Sequence, residues 1–173
     1  MSLAAEVPPL DPGLALALFA GQHRPDAAIK HRLDALVTWA EGRTQTIGLD
    51  DCVGFACGVA FAITNRDVLG NAWRGAWSNE AEAQRHYPLG QPLGLGLLVS
   101  RRMQQLGWLR CRPPEAPPGS FGLALVATRQ GRVLLPCVAT GAGWWLGRIE
   151  RGVTHLQDRH VRHGWQSPGQ ENG

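Results

Sequence analysis

The chain has 173 residues, enough for one domain with its own hydrophobic core. Apolar residues make up 44% and charged residues 18%, a balance that excludes an intrinsically disordered chain. The net charge is only +3 and the longest basic run is Arg101-Arg102, so the sequence has no arginine block interleaved with aromatics of the kind that grips nucleic acid.

In chain order, residues 1–24 hold Pro8, Pro9 and Pro12 and then an apolar patch, Leu14 to Ala20. The patch is too short to span a membrane and follows Asp11 rather than a basic segment. This stretch reads as an arm leaning on the domain or on a partner. A helix is predicted from Pro25, with Asp26 in its first turn. Ile29, Leu33, Leu36, Val37 and Ala40 recur on it at helical spacing as a buried stripe, and Gly42 ends it. After a short connection, a second helix is predicted from Cys52 to about Thr64. Asp50 or Asp51 is its N-cap, because a carboxylate there accepts the free backbone N–H groups. Val53, Phe55, Ala56, Val59, Ala60, Phe61 and Ile63 make it apolar all round, the signature of a central helix. Asn65 is the natural stop.

Trp73 to Trp77 reads as an aromatic-rich loop, and Asn79-x-x-Glu82 as the capping box of a short helix reaching about His86. Leu93 to Leu106 fits a further helix weakened by Gly94 and Gly96. The four prolines between Arg112 and Pro118 predict an extended connector. Phe121–Thr128 and Arg132–Thr140 then form a hairpin across Arg129-Gln130-Gly131, with one or two more strands over Trp144–Ile149 and Gly152–His155. Helices first and strands second predict an α+β fold with one antiparallel sheet. The division expected is an arm over 1–24, a domain over 25–166 and a polar tail over 167–173.

Cys52, Cys57, Cys111 and Cys137 form no C-x-x-C pair or zinc-ribbon spacing, so they read as reduced thiols of a chain made in the cytoplasm, with no metal site and no cofactor motif. Cys52 stands apart because it opens a helix. Exposed N–H groups and the helix dipole favour a thiolate there, and the same N–H groups can stabilise an oxyanion. Asp50 and Asp51 oppose that effect by their charge. Cys57 lies about 140° further round the helix and reads as core.

The order of features is distinctive: an amphipathic helix; Asp51-Cys52 opening an apolar helix that ends Thr64-Asn65-Arg66-Asp67; Trp73-Arg74-Gly75; Trp77; Ser78-Asn79-Glu80-Ala81; the proline-rich connector; a glycine-led strand; a second strand closing at Gly141; and a late Trp165. Over residues 26–166 this order resembles a phage-associated family of unknown function that looks like a divergent branch of the NlpC-type papain-like cell-wall peptidases. The resemblance implies a papain-like core with N-terminal helices packed on an antiparallel sheet, and Cys52 at the nucleophile position. It also implies a histidine base on the second strand, but Leu135 of Leu135-Pro136-Cys137-Val138-Ala139-Thr140-Gly141 stands there. Gly119-Ser120 replaces the usual Gly-Asp. Without a base, cysteine hydrolysis loses its general acid–base step.

Of the C-terminal histidines, His155 is the candidate base by another route, while His160 and His163 would be neighbours only on a helix. Trp144-Trp145 on a strand must point to opposite faces, one into the core and one outward. The leading expectation is a structural component of a phage tail tip or baseplate with a degenerate papain-like fold. Its partners would be other tail proteins and its location the virion. The alternative is an active cysteine peptidase or amidase, Cys52 with His155, cutting cell-wall peptide of the peptidoglycan as the phage enters. A third reading is a small regulatory or immunity-type binding domain. None involves nucleic acid or a membrane span.

Overall fold

Thirteen consecutive residues from Cys52 carry almost nothing polar, and they form the helix around which the rest is arranged. The computed structural model describes residues 12–21, 33–88, 91–129 and 131–170. The predicted helix start at Pro25, with Asp26 and Ile29, lies outside the described residues, as do Pro8, Pro9, Gln130 and the last three residues of the tail. The helices are α1 (Pro12–Phe19), α2 (Leu33–Ala40), α3 (Cys52–Thr64), α4 (Gly70–Trp73), α5 (Glu80–His86) and α6 (Pro92–Gln105). The strands are β1 (Leu109–Cys111), β2 (Phe121–Thr128), β3 (Gly131–Gly141), β4 (Trp144–Arg148), β5 (Val153–Gln157) and β6 (Val161–Gln166). They form one antiparallel sheet in the order β1-β6-β2-β3-β4-β5. The fold is therefore α+β, as the run of helices followed by strands predicts.

Helix α3 crosses β2, β3 and β4 at the centre of the sheet, and α1 and α2 pack on its outer side. Strand alternation sends Leu134, Val138 and Leu146 to this helix-covered face. On the outer side, Phe19 lies on α3 at Gly58, where an added Cβ would come 2.3 Å from the ring. Its ring centroid is 5.3 Å from Trp39 and 5.8 Å from Phe55. Each of these buried aromatics contributes on the order of 1.5–3 kcal/mol by burial. The segment read as an arm thus contains a helix whose Ala15, Leu18 and Phe19 belong to the main core. On α2, Leu36 and Ala40 are buried as the spacing predicts, joined by Ala35 and Trp39, and Gly42 follows with φ of 73°.

The opposite sheet face carries a second apolar cluster. Cys111, Gly164, Gly122, Cys137 and Gly147 stand side by side across β1, β6, β2, β3 and β4. The glycines leave room for the fully buried indole of Trp145: a Cβ at Gly122 would lie 2.5 Å from Trp145 Cζ3. Trp144 points the other way and is 45% exposed, as alternation requires.

Two expectations are corrected. The Arg112–Pro118 connector is not extended throughout, because Pro113–Glu115 makes a 3₁₀ turn in which fixed proline φ angles suit the first positions. Trp73 ends the short helix α4 rather than opening a loop. Strands β1 and β6 were not foreseen, the first being three residues at a sheet edge and the second carrying Arg162, His163 and Gly164. His160 and His163 do not share a helix; His160 closes a 3₁₀ turn and His163 stands on β6 opposite Leu123.

Candidate functional site at the start of the central helix

The sequence Gly48-Leu49-Asp50-Asp51-Cys52 places two carboxylates directly before a helix, and the structure gives them different tasks. Asp51 is the N-cap. Its Oδ1 accepts from the backbone N–H of Val53 at 3.1 Å and of Gly54 at 2.9 Å. Its Oδ2 accepts from Gly48 N–H at 2.7 Å and from Trp77 Nε1–H at 2.6 Å. One buried side chain therefore ties the helix start to the preceding turn and to Trp77, three residues ahead of α5. Gly48 is required here, since it has φ of 81° and a Cβ would meet Trp77 O at 2.2 Å.

Asp50 turns toward the sheet. Its Oδ2 accepts from Arg148 Nη2 at 3.0 Å and its Oδ1 from Thr46 N–H at 2.7 Å. Arg148, at the end of β4, is wholly buried and also donates to the carbonyls of Ala40, Gly152 and Asp50. A buried guanidinium is tolerable only when its charge and its N–H groups find partners, and these acceptors provide them.

Cys52 follows these two acids and packs against both apolar clusters. Burial and then the adjacent Asp51 carboxylate push its thiol up from the ordinary 9.0 to about 12. The backbone N–H groups of Val53 and Cys52 act in the opposite direction and are outweighed. Cys57, one face away, is buried and its thiol is likewise pushed up by burial.

Beside the sulfur opens a cavity of about 510 Å³. Asp51, Cys52 and Val53 form its floor at the helix start, Trp77, Glu80, Ala83, Gln84 and Tyr87 one wall, and Thr44, Gln45, Ile47 and Glu150 the other. Asn79 caps α5 through Glu82 N–H at 3.0 Å as predicted, while the Glu82 carboxylate accepts from Ser78 N–H and Oγ rather than from the Asn79 N–H of a capping box, and these bonds hold that wall in place. Trp77 and Tyr87 stack edge-to-face with centroids 5.2 Å apart.

Histidine is not among the described residues that line this cavity. His155 stands on the edge strand β5, opposite Leu146, and is exposed. His86 is exposed at the end of α5, its ring centroid 5.9 Å from that of Trp77. His163 stands on β6, toward the sheet edge opposite β5, 3.2 Å from an Arg110 nitrogen. Leu135 is buried on the face away from α3, close over Gly147. Sequence reasoning singled out Asp51, Cys52 and Trp77, and Glu80 only as part of a motif, but not Gln45, Tyr87, Glu150 or Arg148. Those residues come together only when the chain folds, and the Asn79 cap was the one local signal pointing at the wall that holds Glu80 and Tyr87.

The molecule is thus a helix-on-sheet α+β domain with a cysteine-floored, acid-lined cavity. The chain belongs to the family described as domain of unknown function (DUF6950), whose profile matches residues 25–167. Comparison with curated proteins and with solved structures finds no match.

Proposed function

We propose that this chain is a binding scaffold with a degenerate papain-like fold, serving as a structural component of a phage tail tip or baseplate. The papain-like part of the reading is supported by a cysteine opening a helix that crosses the middle of an antiparallel sheet. The phage part rests on the resemblance carried by Asp51-Cys52, Thr64-Asn65-Arg66-Asp67 and the features that follow them. The observation that favours a scaffold over a hydrolase is the state of Cys52. Burial and the adjacent Asp51 carboxylate both disfavour the thiolate that a nucleophile needs. A nucleophile needs its base within hydrogen-bonding reach, and among the described residues no histidine lines the cavity beside Cys52.

Two measurements test the reading. Purified protein incubated with peptidoglycan and its stem peptides is expected to release no new amine or carboxyl termini. Release that disappears in Cys52→Ala would establish the peptidase or amidase instead. Mass spectrometry of purified virions is expected to find the chain in tails; its absence from particles would overturn the tail assignment.

A further inference from the structure

His163 stands on β6 with its ring toward α6: a Cβ added at Gly96 would lie 3.4 Å from its Nε2. Its other ring nitrogen, Nδ1, is 3.2 Å from Arg110 Nη2. A guanidinium donates and never accepts, so Nδ1 is the unprotonated nitrogen and the ring proton sits on Nε2. The contact therefore exists only while the imidazole is neutral. The elements around the ring, α6, β1, β2 and β6, contain no aspartate or glutamate. Their charged residues are Arg101, Arg102, Arg110 and Arg162, all of them cations. Arg101 and Arg162 are exposed, and Arg102 is held by the carbonyls of Val68 and Leu69. Partial burial, and then the Arg110 charge, hold the His163 imidazole below its ordinary 6.5.

The same guanidinium covers an indole. Arg110 Cζ lies over the Trp165 ring at 4.8 Å, and the His163 and Trp165 ring centroids are 5.9 Å apart. Arg110 and Trp165 line a second cavity, of about 480 Å³, together with Ser100, Gln104, Trp108 and Leu109. We infer that His163 and Arg110 form an acid-released latch: the neutral imidazole holds the guanidinium over Trp165, and protonation frees it to swing away and open that wall of the cavity. Protonation sets a second cation against Arg110 with no carboxylate on the surrounding elements to offset it. Arg110 is the partner that moves, because its side chain is exposed and forms no salt bridge among the described residues. The latch lies apart from Cys52 and does not depend on the scaffold reading.

The test is an NMR pH titration of the full-length protein labelled with ¹³C and ¹⁵N. At neutral pH the ring nitrogen shifts are expected to show the Nε2–H tautomer of His163. On acidification its midpoint should fall below 6.5, and the Trp165 indole N–H and Arg110 Nε–H signals should move with that same midpoint. Arg110→Gln removes the cation and should shift the His163 midpoint upward. His163→Gln offers arginine an amide oxygen at any pH, so it should abolish the acid response of the Trp165 and Arg110 signals. If His163→Gln does not fold, the tautomer and the exposed-site variant Arg110→Gln still decide. An Nδ1–H tautomer, a midpoint at or above 6.5, Trp165 signals that do not follow His163, or an unchanged midpoint in Arg110→Gln would overturn the inference. So would an acid response at Trp165 that survives in His163→Gln, which would belong to another group.

Discussion

Arg148 donates to Asp50 across 98 positions of sequence, Nη2 to Oδ2 at 3.0 Å, with neither side chain reaching solvent. The pair fixes the turn before α3 to the end of β4, and the remaining guanidinium N–H groups hold the end of α2 and the turn into β5. Asp50→Ala would leave a buried, uncompensated cation. Its expected cost is about 3–5 kcal/mol, read as a fall in the urea midpoint without a change in slope. Asp50→Ala with Arg148→Met should recover part of that loss. A single variant costing less than about 1 kcal/mol would mean that the pair is solvated in solution.

Trp77→Phe removes the indole donor to Asp51 while keeping an aromatic wall. The expected loss is about 1.5–3 kcal/mol, the range for a hydrogen bond to a charged group. Asp51→Ala, which strips all four donors of their acceptor, should cost more than Trp77→Phe when both are measured by chemical denaturation.

The buried thiols predict an alkaline limit to stability. The folded Cys52 thiol is raised to about 12 from an ordinary 9.0, so above pH 9 the unfolded chain loses a proton that the folded chain keeps. Stability is therefore fully present below about pH 9 and declines as pH rises from there toward 12. Each such thiol adds a slope of about 1.4 kcal/mol per pH unit, and Cys57 and Cys137 are shifted in the same direction by burial. Denaturation at pH 8, 9 and 10 checks this, and Cys52→Ala should flatten the slope. In the native protein at pH 8, Cys52 should resist iodoacetamide far longer than an exposed thiol. Rapid labelling would show that it ionises more easily than its surroundings imply.

Gly122→Ala places a methyl group against the Trp145 ring, at the crowded middle of the sheet's second face. Overpacking of this kind is expected to cost about 1–3 kcal/mol and to shift the thermal midpoint down by several degrees. Gly131→Ala, with open space around it but φ of 124°, separates backbone strain from crowding.

Helix α3 was legible with both ends, because an aspartate, an apolar run and an asparagine are local signals, and the observed caps are Asp51 and Asn65. The β2–β3 hairpin and the Asn79 cap were legible for the same reason. What the sequence concealed is long-range. Arg148 looks like a surface residue at a strand end until Asp50 and three carbonyls surround it. Strand β6 looks like a polar segment because Gly164 exists to clear space for Cys111 and Trp145, a reason visible only across strands. At the candidate site, Asp51-Cys52 stood out by its place at a helix start. Glu80, Glu150 and Gln45 come from three separate segments and share no spacing that could have linked them.

The fourfold acceptance at Asp51 has a dynamic consequence. The amides of Gly48, Val53 and Gly54 and the Trp77 indole all let go of one carboxylate, so the cavity floor cannot loosen piecemeal. Their hydrogens should exchange with solvent at a common rate, as one cooperative opening event, which makes the mouth of the cavity either built or absent rather than gradually adjustable.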